Sequence, residues 1–65
     1  MKLQIKDSGA WRNVVSFSAG NAAEVEQAAA ALLRAAGGLG TSMRIMDGDL
    51  VMRYCEQPAC VWRAK

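Results

Sequence analysis

The residues with the most chemical potential in this chain are two cysteines, Cys55 and Cys60 in "CEQPAC", and no histidine accompanies them. Structural zinc takes four nitrogen or sulfur ligands, so one chain supplies half a site at most, and a site shared between two copies would have to complete it. A reversible disulfide across the proline-containing loop is a second alternative, and two separate thiols the third. The lack of imidazole removes the usual proton carrier of acid-base chemistry and of Ser-His or Cys-His nucleophiles. Ser8, Ser16, Ser18 and Ser42 fall in turns or at strand ends, and none has a recognisable base beside it. The expectation is therefore a protein that is not an enzyme, with no catalytic residue, no metal and no cofactor, and with two separate thiols.

"GGLGTS", Gly37 to Ser42, has the composition of a phosphate loop. Its context is wrong, because these glycines leave a helix at its C-terminal, negative end, whereas phosphate is held by amides at an N-terminus. At the other helix end, "SAGNAAE", Glu24 and Glu26 already supply negative charge.

The arginines carry more information. "SMRIMDGDLVMRYC", Ser42 to Cys55, is two alternating runs around an Asp-Gly pair, a strong signal for a two-residue hairpin turn. With Asp47-Gly48 as the loop, Met43, Ile45, Leu50, Met52 and Tyr54 share the inner face. Arg44, Met46, Val51, Arg53 and Cys55 then point outward. An earlier hairpin joins "KLQIK" to "AWRNVVSF" through "DSG", read as a three-residue loop closed by Gly9. That register sends Leu3, Ile5, Trp11, Val15 and Phe17 inward, and Lys2, Gln4, Lys6, Arg12, Val14 and Ser16 outward; a two-residue loop would flip the second strand.

Between the hairpins, Asn21 and Glu24 read as an N-cap with its capping-box partner, and Gly37-Gly38 as a C-cap. The helix between them presents Val25, Ala29, Leu32, Leu33 and Ala36 as its apolar stripe, with Glu24, Gln27 and Arg34 away from it. After Cys55 the only proline breaks the strand, and "VWRAK" is a short fifth strand or a tail that packs Trp62, with Trp62 as core filler or as an exposed anchor. The fold expected is α+β in the order ββαββ: an antiparallel sheet of four strands, or five if "VWRAK" pairs, covered on one face by one helix. Strand order stays open.

A chain of 65 residues is one small domain, residues 1–65, and at that size burial barely outweighs chain entropy. Self-association into a homodimer is accordingly expected. "MKLQIKDSGA" has no apolar h-region, the longest apolar run is too short to span a bilayer, and two cysteines without an export signal point to reduced thiols. A cytoplasmic protein with no membrane partner is the expectation.

Net charge is only +2, yet the registers above place Lys2, Lys6, Arg12, Arg44 and Arg53 on the sheet face away from the helix. Val14, Met46 and Val51 lie among them, which makes Arg12, Val14, Arg44, Met46, Val51 and Arg53 the candidate partner-binding residues. The leading expectation is a non-catalytic binding module that regulates or inhibits a larger assembly through protein contacts, of the compact kind phages and mobile elements often encode, with no small-molecule substrate. The alternative is a nucleic-acid-binding module on the same basic face. Base stacking on RNA is disfavoured in this reading, because Trp11, Phe17 and Tyr54 point inward, which leaves backbone contact with DNA.

Overall fold

The computed structural model describes residues 1–64. It is an α+β fold in which β1 (Lys2–Asp7), β2 (Ala10–Ser16), β3 (Ser42–Asp47), β4 (Leu50–Glu56) and β5 (Val61–Ala64) form one antiparallel sheet, with α1 (Ala22–Ala36) between β2 and β3. Strand order is β2-β1-β3-β4-β5. The sheet thus has the fifth strand, and β3 lies beside β1, not β2. No described helix is long and apolar enough to cross a membrane.

Both hairpins depart from the expected register. The first turns on two residues, Ser8 and Gly9, both at positive φ (52° and 83°), the signature of a type I′ turn. Lys6 therefore faces Trp11, and Trp11 joins the outer face together with Gln4 and Lys6. Arg12, opposite Ile5, turns to the helix side instead. A bulge at Val14 then restores the pattern, so that Leu3 faces Val15.

The second hairpin turns on Gly48-Asp49 rather than Asp47-Gly48, pairing Asp47 with Leu50 and Met46 with Val51. That slip of two positions preserves the faces. A bulge at Met52 does not: Ile45 faces Arg53, Arg44 faces Tyr54 and Met43 faces Cys55. Arg53 and Cys55 are thereby on the helix side and Tyr54 on the open side, the reverse of the uninterrupted alternation.

The core lies between α1 and the middle of the sheet: Leu3, Ala29, Ala30, Leu33, Met43, Ile45, Cys55 and Cys60 are buried, with Ile5, Phe17, Val25 and Trp62 packed against them. The helix is rotated from the expected stripe. Ala30 is buried, whereas Leu32 is 58% exposed and Ala36 is exposed. Asn21 makes no side-chain cap, and a short 3-10 turn, Ala19–Asn21, leads into the helix instead. Trp62 packs half-buried and donates its indole N–H to the Glu26 carbonyl at 2.7 Å.

The far end of the helix is fixed by Gln57, the one buried polar side chain among the described residues. Its Nε2 donates to the carbonyls of Leu33 and Gly37, both at 2.9 Å, and its Oε1 accepts from the Thr41 N–H at 2.9 Å. The carbonyls that end a helix have no partner within it, and here an amide from the sheet supplies one. Replacing Gln57 by alanine leaves these groups unpaired and should cost about 2 kcal/mol, a fall of roughly 8–16 °C in Tm for a domain this small. Gln57→Glu should be at least as harmful, since it sets a carboxyl against two carbonyls; thermal melts of both variants check this.

Cys55, at 0% exposure, and Cys60, at 2%, are free thiols. Burial pushes the Cys55 thiol above its ordinary value of about 9, and the neighbouring Cys60 adds to the rise. A thiol that ionises more readily unfolded than folded contributes its full stability below that ordinary value and loses it as pH climbs toward the raised folded value. Tm should therefore fall more steeply above about pH 9 in the native chain than in Cys55→Ala, which will melt lower at neutral pH but along a flatter alkaline profile.

Candidate functional site

The sheet face away from the helix is built in rows. Strand pairing sets Asn13, Gln4, Arg44, Tyr54 and Arg63 side by side across all five strands. Beside that row run Trp11 and Lys6 at one end and Ser42, Glu56 and Val61 at the other. On its other side lie Ser16, Lys2, Met46 and Val51.

The central row is held by a chain of amide contacts. Gln4 donates from Nε2 to Asn13 Oδ1 at 2.8 Å and accepts at Oε1 from Arg44 Nε, also at 2.8 Å. Tied at Nε, the Arg44 guanidinium lies over the Trp11 indole with its central carbon 4.0 Å from the ring centroid, a cation-π stack. A cleft lies between that stack and Tyr54. Its volume is about 280 Å³, and it is lined by Lys6, Trp11 and Arg44 on one side and Tyr54 and Glu56 on the other, with the small Ser42 between. Arg63 adjoins Tyr54 and Glu56 in a neighbouring groove.

The six partner-binding residues expected from the sequence do not form one surface. Arg44, Met46 and Val51 share the open face, and Val14 is exposed at its bulge. Arg12 and Arg53 are on the helix side, each opposite an isoleucine. Arg53 is engaged there: its Nε is 3.0 Å from Glu26 Oε1, an ion pair by proximity whose N–H is not aimed at the oxygen. Among the described residues the open face accordingly carries Lys2, Lys6, Arg44 and Arg63 as its cations, and two aromatic rings expected from the sequence to point inward, Trp11 and Tyr54. Phe17 alone of the three aromatics in that reading packs on the core.

Two sequence features could have led to this face. Val14-Val15 and Leu50-Val51-Met52 interrupt strict alternation, and consecutive apolar residues in a half-buried strand are where a bulge is accommodated. No group of three or more metal-ligating side chains converges among the described residues. No family model, curated protein or solved structure matches the chain.

The stack between Trp11 and Arg44 has a direct signature. The Arg44 side-chain protons should resonate upfield of their unstacked positions through the indole ring current and return on Trp11→Leu. Gln4→Leu, which releases Nε, should reduce the upfield shift while the Tm changes by no more than the equivalent of about 1 kcal/mol, because this contact is only partly buried.

Proposed function

We propose that this protein is a non-catalytic binding module whose open sheet face takes single-stranded nucleic acid. The observation that carries the proposal is the co-location of Trp11 and Tyr54 with four cations on one uncovered sheet face. Sheet-borne aromatics give unpaired bases a surface to stack on, and surrounding lysines and arginines neutralise the phosphates between them. Duplex DNA keeps its bases stacked on each other and offers an aromatic ring only its backbone and groove edges, so the same face favours a single strand. The Arg44 guanidinium, with one face on Trp11, presents its other face to a base as a planar stacking surface.

A protein ligand on the same face is the second reading. Met46 and Val51 form a directly opposed apolar pair there beside Lys2, a pattern suited to the apolar centre of a protein interface, including one with a second copy.

Anisotropy of a labelled oligo-uridine separates the two. The nucleic-acid reading expects log Kd to vary with log salt with a slope of about 2–3 for four neutralised phosphates, reduced by about 0.7 in Arg44→Ala. Trp11→Ala and Tyr54→Ala should each weaken binding by about 1–3 kcal/mol. Arg12→Glu, on the opposite face, should change affinity far less than Lys6→Glu. Absence of oligonucleotide binding, with capture of a protein that Met46→Glu abolishes, would transfer the face to the second reading.

A further inference from the structure

Resting on the nucleic-acid reading of the open face, we infer that the cleft between Arg44 and Tyr54 is a guanine-selecting pocket, with Glu56 as the residue that reads the base. The cleft, about 280 Å³, is at the small end for a ligand site and suits one base, not a run of them. It has a stacking wall in Tyr54, a floor residue in Ser42 too short to fill it, and an ammonium, Lys6, across from a carboxyl, Glu56. Glu56 stands opposite Ser42 in the β3-β4 ladder, and no described cation forms an ion pair with it.

A lone carboxylate is an unexpected group on a face that recruits phosphates, since it repels the backbone. Its two oxygens only accept hydrogen bonds. Among the Watson-Crick edges, guanine alone offers two adjacent donors, N1–H and the N2 amino group, to meet both oxygens. Adenine and cytosine set an amino donor beside a ring-nitrogen acceptor, and uracil sets its single N–H between two carbonyl acceptors. Each of those would oppose a lone pair to one carboxylate oxygen. A guanine seated on Glu56 keeps O6 and N7 for a cation, the acceptor pair that lysine commonly recognises, and Lys6 is the cation across the cleft. The negative charge thus lowers affinity for an arbitrary strand and restores it for one base, which is how a stacking surface with little intrinsic sequence preference gains selectivity.

The test uses nine-nucleotide oligo-uridines with one central substitution, read by anisotropy with the native protein, Glu56→Gln and Glu56→Ala. The central guanine should tighten binding roughly tenfold over adenine, cytosine or uracil. In Glu56→Gln that preference should fall below about twofold, while affinity for plain oligo-uridine holds or rises as the carboxylate is removed. Unchanged Tm of the variants confirms that the loss is one of recognition, as Glu56 is exposed. Oligomers that bind alike whatever the central base overturn the guanine pocket and leave the nucleic-acid reading standing. Failure to bind any oligomer overturns both, and saturable binding of a lysine- and arginine-rich peptide that Glu56→Gln removes would assign the cleft to a cationic protein segment.

Discussion

At its C-terminal end the helix is joined to the sheet through one side-chain amide, that of Gln57. Gln57 satisfies the Leu33 carbonyl of α1 and the carbonyl of its C-cap Gly37 with one end and the Thr41 N–H with the other, while its own backbone N–H donates to the Thr41 carbonyl at 3.1 Å. The glycine-rich segment from Gly37 to Gly40 has almost no apolar contact of its own, and Leu39 is 81% exposed. Gln57 fixes the helix end at Leu33, the helix residue deepest in the core, and Gly38 is close enough that an added Cβ would sit 3.2 Å from Gln57 Oε1. Arg34 reinforces the same junction by donating to the Cys60 carbonyl at 3.2 Å. The loop from Glu56 to Cys60 is thus a clamp as well as a connection between β4 and β5.

Placement of the helix has an electrostatic consequence. Glu26 faces the sheet and meets Arg53, which the bulge at Met52 has placed on the helix side, while its carbonyl takes the Trp62 indole N–H. One helical residue therefore organises the β4-β5 half of the inner face through both its side chain and its backbone. The opposite face is released from that role, and its polar contacts run among its own residues, from Asn13 through Gln4 to Arg44. A side chain tied at Nε and stacked on a ring has little rotamer freedom left to lose when a ligand arrives, and such pre-organisation lowers the entropic cost of binding.

One turn and one bulge decide which aromatics meet solvent. In β2 the tight Ser8-Gly9 turn throws Trp11 outward, and the bulge at Val14 returns Val15 to the side of Leu3. In β4 the order is reversed: the segment after the turn keeps its expected faces, and the bulge at Met52 sends Tyr54 outward and brings Cys55 into the core. Each bulge falls within a stretch of consecutive apolar residues, and Val14, Val15, Leu50 and Met52 remain exposed there. The Ser8-Gly9 turn and the bulge at Met52 together set rings on either side of Arg44, on strands far apart in sequence.

Local patterning settles the class of the fold and its elements: two hairpins, one helix between them, a break at Pro58, and Met43, Ile45, Leu3 and Leu33 as core. These follow from periodicity and turn residues, which act over a few positions. It also determined that Arg44, Met46 and Val51 face away from the helix, since the single hairpin slip moved their partners by an even number. What tertiary structure decided was everything downstream of an odd shift. One extra residue in a strand inverts every later side chain, and whether a strand accepts it depends on how well Cys55 or Tyr54 fills the space beneath the helix, a comparison no local pattern contains. The same applies to Gln57, whose partners lie from 16 to 24 residues away and whose polar side chain is buried only because the helix end and the sheet converge on it.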